Sequence, residues 1–437
     1  MQTEHFETTI ESLSHDGRGI TTYKDKITFV SGALPAEKVV CRLTHKHRRY
    51  NEAQVIEVIE KSPERIEPPC THHGICGGCS MQHVEMQAQI RWKQQTVLEQ
   101  LKHFGKVTPK EVLPAITGAS LGYRRKARLG VRYVIKKEKL LVGFREKFSN
   151  YLADIQQCEV LHPSVGKKLI ELATVIRSLS RFDEIPQIEV AVSDHVTALI
   201  IRHMKPLTEH DLETLCHFGQ ENNFHIYLQP DSHDSVHKIW PQDKNEMLSY
   251  FLPDYELEMQ FHPLDFTQVN GEVNRKMIAA ALALLAPQSS DTILDLFCGL
   301  GNFTLPIARL AKHVIGVEGS TQMVDRASAN AQHNKLTNVE FHAANLMQPP
   351  ENAPWLQVDF NKVLLDPPRT GAKEIIPYIA KKSVKQIIYV SCNPSTLARD
   401  AGDLVYNHGY TLEKVVVVNM FPHTSHIETI ASFSRNK

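Results

Sequence analysis

The 437-residue sequence predicts an α/β protein of three domains, the last of them a doubly wound parallel sheet. Three observations carry this. From about residue 260, helical and apolar strand-like segments alternate, each strand running into a polar or Gly-rich turn. The first sixty or so residues are instead short strands broken by Gly, Asp and Pro. The chain is also too long for one typical domain.

In chain order, "HFETTIESLS", "GRGITTYKDKITFVSGA", "EKVVCRLTHKH" and "EAQVIEVIEKS" read as four or five strands, the size of a small oligonucleotide-binding (OB-like) β-barrel. "PERIEPP" is a Pro-rich linker. "PPCTHHGICGGCSMQH", Pro68 to His83, holds three of the eight cysteines. "VEMQAQIRWKQQTVLEQLKHFG" predicts a helix over 85–105, with Gly105 near its end. Residues 120–255 read as strand-rich with a helix near 164–179, a central α+β domain. The expected domains are 1–66, 67–258 and 259–437.

Hydrophobic content of 42% and charged content of 22% are ordinary for a soluble globular protein. The N-terminus lacks the apolar stretch of a signal peptide, and the longest apolar run, Met277 to Ala286, is too short to span a bilayer. A cytoplasmic protein is expected. There thiols stay reduced, so cysteines at metal-like spacing suggest ligands more than disulfides. The net charge of +0 hides an uneven distribution. Leu121 to Asn150 has ten Lys or Arg against two acids, and Arg181 to Met259 has five against fifteen. Tyr123, Tyr133, Phe144 and Phe148 interleave with the basic stripe, a composition that suits phosphates and stacked bases, or equally a solvated charged hairpin.

"LDLFCGLGNF" puts Asp295, Gly299 and Gly301 at a strand-to-helix turn, where glycines let a ligand approach the backbone. Thr304 stands where the dinucleotide fingerprint has its third small residue. The next strand ends at Glu318, placed to grip ribose hydroxyls, and the third near Asn345, placed to meet an adenine edge. This series resembles the S-adenosylmethionine (SAM) methyltransferases with a Rossmann-like domain. "LLDPPRTGA" ends a fourth strand at Asp366. Arg369 replaces the aromatic of amine methyltransferases, which argues against an amine substrate. "IIYVSCNPSTLARD" places Cys392 at the fifth strand end, opening a polar turn, and "MFPHTSHIETI" contains Glu428.

A cysteine, an acid and a SAM site fit methylation at a pyrimidine C5. That carbon cannot take a methyl group unaided. Thiolate addition at C6 makes C5 enolate-like, and a base then removes the C5 proton so that the thiolate can leave. Cys392 is the thiolate candidate and Glu428 the base candidate.

"DPPRTG", "SCNPSTLARD", "FPHTSHIET" and "FTQVN" together resemble the bacterial uracil-C5 RNA methyltransferases over nearly the whole chain. Having both the N-terminal module and the cysteines resembles the 23S rRNA branch, whose module is the RNA-binding barrel called TRAM. The resemblance implies Cys392 as nucleophile and Glu428 as proton acceptor. It implies Gln268, Phe297, Gly299, Asn302, Glu318, Asn345 and Asp366 around SAM. It further implies that helix 85–105 packs on the catalytic domain, and that 23S rRNA is bound with its target base flipped out. A monomer with no DNA or membrane partner is expected. Related enzymes on tRNA or another rRNA site, a cytosine-C5 enzyme, and a non-catalytic RNA-binding protein or chaperone are the competing readings. The cytosine enzymes usually carry a second cysteine that is missing here.

Cys70, Cys76 and Cys79 have C-x5-C-x2-C spacing. By spacing alone, zinc with His72, His73 or His83 and an iron–sulfur cluster with a fourth thiol at Cys158 stand nearly equal. The resemblance implies a [4Fe–4S] cluster on Cys70, Cys76, Cys79 and Cys158, with Cys41, Cys216 and Cys298 unligated. No motif fixes the roles of the three histidines.

Overall fold

Four sheets organise the computed structural model, which describes residues 4–243, 247–349, 352–382 and 384–435. The first contains β1 (His5–Thr9), β2 (Ser12–Leu13), β3 (Gly19–Tyr23), β4 (Lys26–Ser31), β5 (Lys38–Lys46) and β6 (Tyr50–Glu60), in the order β1-β5-β6-β4-β3-β2. Alternation along β4 and β5 turns Val30, Val39 and Cys41 inward to meet Phe6 and Ile10. The sheet curls until β1 touches β3, and Thr8 Oγ1 and Thr21 Oγ1 share a 2.6 Å hydrogen bond across the seam. This is the barrel-like module expected of these strands.

The cysteine segment follows, then α1 (Met86–Gln100), capped by the Glu85 carboxylate accepting from the Ala88 N–H. A π-helical turn over Leu101–Gly105 ends it, and β7 (Glu111–Val112) comes next. The central sheet contains β8 (Lys126–Val134), β9 (Lys139–Gly143), β10 (Gln187–Val192), β11 (Thr197–Arg202), β12 (Phe224–Gln229) and β13 (His237–Trp240). Its order is β13-β12-β11-β10-β8-β9, with only β11 and β12 parallel. The helix expected near 164–179 is two helices, α2 (Pro163–Gly166) and α3 (Leu169–Ser178); α4 (Glu209–Asn222) makes the β11–β12 crossover. A hairpin, β14 (Leu248–Leu252) and β15 (Leu257–Phe261), leads out of this region.

Part of the basic stripe is the β8–β9 hairpin, and its alternation accounts for several of the interleaved aromatics as core residues. Ala127, Leu129 and Val131 point into the core, leaving Arg128 and Arg132 exposed between them. Tyr123 is buried and its hydroxyl donates to the Pro422 carbonyl at 3.0 Å. Tyr133 packs edge-on against Phe182, and Phe144 packs on the central core. Of the four rings only Phe148 is exposed. Lys126 and Arg125 are spent on the Pro263 carbonyl and on Asp194.

The catalytic region is α5 (Gly271–Leu285), β16 (Thr292–Leu296), α6 (Thr304–Ala308), β17 (His313–Glu318), α7 (Thr321–His333), β18 (Val339–Ala343), α8 (Pro354–Gln357), β19 (Lys362–Leu365), α9 (Ile376–Ala380), β20 (Gln386–Ser391), α10 (Pro394–Tyr406), β21 (Thr411–Val418) and β22 (Glu428–Ser434). The sheet order is β18-β17-β16-β19-β20-β22-β21-β7. β16 to β20 are parallel and β22 enters antiparallel between β20 and β21. Both faces are buried, which is why these strands read as nearly continuous apolar runs. The strand order reverses between β16 and β19, so the crevice for a ligand lies at their carboxyl ends.

Helix α1 belongs spatially to this region. Gly105 presses on α10 so closely that a Cβ there would sit 2.4 Å from the Ala398 carbonyl oxygen. No helix among the described residues is long and apolar enough to cross a membrane.

Candidate active site and cysteine pocket

Three of the expected cofactor residues, Gly299, Glu318 and Asp366, meet at the switch point, and the others lie around it or apart from it. β16 ends in Phe297, whose φ of 64° lies in the left-handed region, followed by Gly299 (φ 55°) and Gly301 (φ 95°). A Cβ on Gly299 would meet nothing within 4 Å, so open space faces that backbone. Glu318, at the end of β17, accepts from the N–H groups of Gly299 (3.1 Å) and Gly319 (2.7 Å), tying the two strand ends together. Asp295 is fully buried and accepts from Thr304 Oγ1 at 2.5 Å, while its other oxygen has no partner. Burial, then the neighbouring Asp366 and Glu318, push its carboxyl up to about 8. Thr304, the departure from the glycine fingerprint, therefore serves Asp295.

Asn302 is held by α5: its amide oxygen accepts from Tyr250 and Asn274, and its nitrogen donates to Asn274. Gln268 lines a small cavity with Thr267, Asn274 and Tyr250. Asn345 is exposed, and its side chain accepts from the Met347 N–H. Asp366 follows β19 and donates its backbone N–H to Leu296, beside the loop after β16. Burial and then Glu318 push its carboxyl up to about 7.

Cys392 follows β20 directly, and the strand register decides what it faces. Ser391 pairs with Thr429 across the antiparallel β20–β22 ladder. One more step along the ladder sets Cys392 opposite Glu428. The segment "MFPHTSHIETI" thus ends in a strand whose first residue stands beside the thiol. Burial, then Glu428 and Asp366, push the Cys392 thiol up to about 11, against the opposing pull of the Arg369 guanidinium. Glu428 is buried, and burial and then Asp366 hold its carboxyl well above the ordinary range.

Cys392 opens onto a cleft shared by three parts of the chain. Arg369 and His426 line it from the catalytic region, Thr96 and Gln100 from α1, and His15 and Asp16 from the barrel. The sequence reading missed these lining residues. His426 lay inside a quoted motif, but nothing in the local pattern of α1 or of the β2–β3 turn announces a contact made hundreds of residues away. Asp400 on α10 accepts from the Ala372 N–H and the Tyr389 hydroxyl, tying α10 to β20 and to the segment after Arg369.

Cys70, Cys76, Cys79 and Cys158 line one pocket, with His72, His73 and Gln82 also on its wall. Burial pushes the Cys79 thiol up to about 12 and the Cys158 thiol up to about 11, and the neighbouring cysteines push both the same way. Burial raises the Cys76 thiol as well, and thiols held neutral by burial suit a cationic group that would share their charge. Among the described residues no three His, Cys, Asp or Glu are arranged to hold a metal ion. His73 Nε2 and His83 Nδ1 instead face each other at 3.2 Å. Cys41 and Cys298 are buried elsewhere, and Cys216 is partly buried.

A model of the family described as tRNA (Uracil-5-)-methyltransferase matches residues 192–436. A protein of Hahella chejuensis named 23S rRNA (uracil(1939)-C(5))-methyltransferase RlmD is 54% identical over 431 residues, covering 98% of this chain and 96% of that one. A protein of the same name from Xanthomonas euvesicatoria is 49% identical over 433 residues, covering 98% and 97%. The crystal structure of Pyrococcus abyssi tRNA (uracil-54, C5)-methyltransferase in complex with S-adenosyl-L-homocysteine superposes with a TM-score of 0.75 at 23% identity, covering 98% of this chain and 99% of that one, a likeness of fold.

Proposed function

The chain belongs to the tRNA (uracil-5-)-methyltransferase family, whose members are SAM-dependent RNA uracil-C5 methyltransferases, and on that premise we propose that it methylates C5 of a uracil in 23S rRNA, at the position numbered 1939 in its relatives' names. The observation that carries the proposal is the β20–β22 register, which, extended one step past Ser391 and Thr429, sets the cleft-lining Cys392 beside the buried Glu428.

In this reading the flipped-out uracil enters the cleft, and the Cys392 thiolate adds to C6. The proximity of Arg369 favours the thiolate, which the two neighbouring carboxyls and burial otherwise oppose. SAM, when bound, supplies the methyl group as an electrophile. Gly299, Glu318 and Asn345 would hold its nucleoside end, and Gln268, Phe297, Asn302 and Asp366 its remainder. Glu428 then takes the C5 proton as a carboxylate. Its raised affinity for protons makes it a strong base once it is deprotonated. The barrel, which carries the exposed run Lys46 to Arg49 at the β5–β6 turn, acts as the TRAM-type grip on RNA phosphates.

The four pocket cysteines would hold a [4Fe–4S] cluster. Four cysteines lining one pocket are the all-thiolate set that an iron–sulfur cluster takes. The cluster would staple a segment poor in regular structure. The chain's action as a monomer in the cytoplasm remains part of the same proposal.

The test is transfer of labelled methyl from SAM to unmodified 23S rRNA, 16S rRNA and tRNA, with Cys392→Ala as control and the nucleoside read by mass spectrometry. 5-Methyluridine in 23S rRNA alone, lost in the variant, supports the proposal. Label in tRNA overturns the substrate assignment and leaves the chemistry standing.

A further inference from the structure

The loop from Asn419 to Ile427 joins β21 to β22 and delivers Glu428, yet it has no regular structure of its own. Its position is imposed from outside. The backbone N–H groups of Ser80 and Met81, just past the cysteine pocket, both donate to the His423 carbonyl at 3.0 and 2.9 Å. Ser80 Oγ accepts from the Ser425 N–H at 3.1 Å. Two side chains one helical turn apart on α1 finish the clamp. Gln89 Oε1 accepts from the His423 N–H at 2.9 Å while its Nε2 donates to the Met81 and Val84 carbonyls. Lys93 Nζ donates to Asn419 Oδ1 at 2.8 Å and to the Phe421 carbonyl at 3.0 Å.

Gln89 and Lys93 are both fully buried. Burying an ammonium is costly unless its hydrogen bonds are well made, and burial here pulls the Lys93 amine down to about 7. A buried polar pair is in general as well explained by packing. Two details point further. Six of these eight bonds fall on one irregular loop, and His423 at the centre of the clamp has a φ of 65°, a conformation that needs outside support in a non-glycine residue. Asn419, gripped by Lys93, follows Val418, the residue paired with Glu428 across the β21–β22 ladder.

We propose that Gln89 and Lys93 are positioning residues for removal of the C5 proton, fixing the Asn419–Ile427 loop and thereby Glu428. The inference rests on the covalent reading above. In that step the C5–H bond breaks and its proton passes to the Glu428 carboxylate. The electron pair re-forms the C5–C6 double bond, and the C6–S bond breaks to release the Cys392 thiolate. The same clamp makes the cysteine segment a support for the catalytic base.

The experiment is a single turnover of the full chain with methyl-labelled SAM and a 23S rRNA fragment. It is quenched in denaturant, and label on protein is separated from label on free RNA. Gln89→Met and Lys93→Met should raise the protein-bound methylated adduct by about fivefold or more, with adduct formation slowed much less. Ser80→Ala, which deletes one surface-side bond, should shift the ratio the same way by a smaller factor, and it keeps the test open if the buried variants fold poorly. Slower adduct formation without accumulation would overturn the inference, leaving the loop as a wall of the cleft. Glu428→Gln is the control. If it accumulates adduct and none of the three variants does, this inference alone falls. If Glu428→Gln accumulates none, the underlying reading falls.

Discussion

Cys392 and the four pocket cysteines are the same side chain in opposite settings. Cys392 sits at the end of a central strand, on a mixed sheet buried on both faces, and opens onto a cleft. Cys70, Cys76, Cys79 and Cys158 sit on loops and turn toward one another in a pocket. The sheet needs nothing further to hold its thiol in place. The loops are held mainly by short bridges such as Cys76 with Glu146 and Arg145 with Leu152. The difference suits the two jobs proposed for them: one thiol to react, and four to hold a segment in shape.

Substitutions can break or sharpen that contrast. Cys392→Ala should lower turnover by about 10⁴-fold or more, with little change in melting temperature, as measured by methyl transfer and thermal denaturation. Glu428→Gln should slow product release by about 10²- to 10⁴-fold while the protein–RNA adduct survives denaturing electrophoresis. Below the thiol's value of about 11, adduct formation by the native chain should rise about tenfold per pH unit between about pH 6 and about pH 9, because the thiolate fraction grows with pH. Arg369→Ala removes the group that favours the thiolate. It should cut adduct formation near neutral pH by about tenfold, at a rate recoverable by raising pH. Cys79→Ser should reverse the pattern, lowering the melting temperature by about 5 °C or more and reducing iron content while slowing chemistry only modestly. A Cys79→Ser protein that melts normally but cannot form adduct would erase the distinction.

The catalytic sheet was legible because its pattern is local. The strands β16, β19 and β20 are apolar runs ending in a motif, and the turns at Gly299, Asp366 and Cys392 fall where chain order places them. The antiparallel insertion of β22 was not legible, although it brings Glu428 to Cys392. A strand's neighbour is set by sheet topology, and no residue in "HIETI" encodes it. The stripe's aromatics left two readings open for a related reason. Tyr123, Tyr133 and Phe144 alternate with basic residues as a nucleic-acid surface would, but the same period-two alternation describes a strand with one face in a core. The partners of α1 were likewise hidden, because Gln89 and Lys93 look like surface residues until the loop of Asn419 and His423 is folded against them.

Trapping the adduct tests directly whether Cys392 is the nucleophile. Glu428→Gln protein would be incubated with SAM and a 23S rRNA fragment, denatured and digested, and its peptides weighed. The account predicts one modified peptide, containing Cys392 and carrying methylated uridine. RNA methylated at normal rates with an unmodified Cys392 peptide would contradict it.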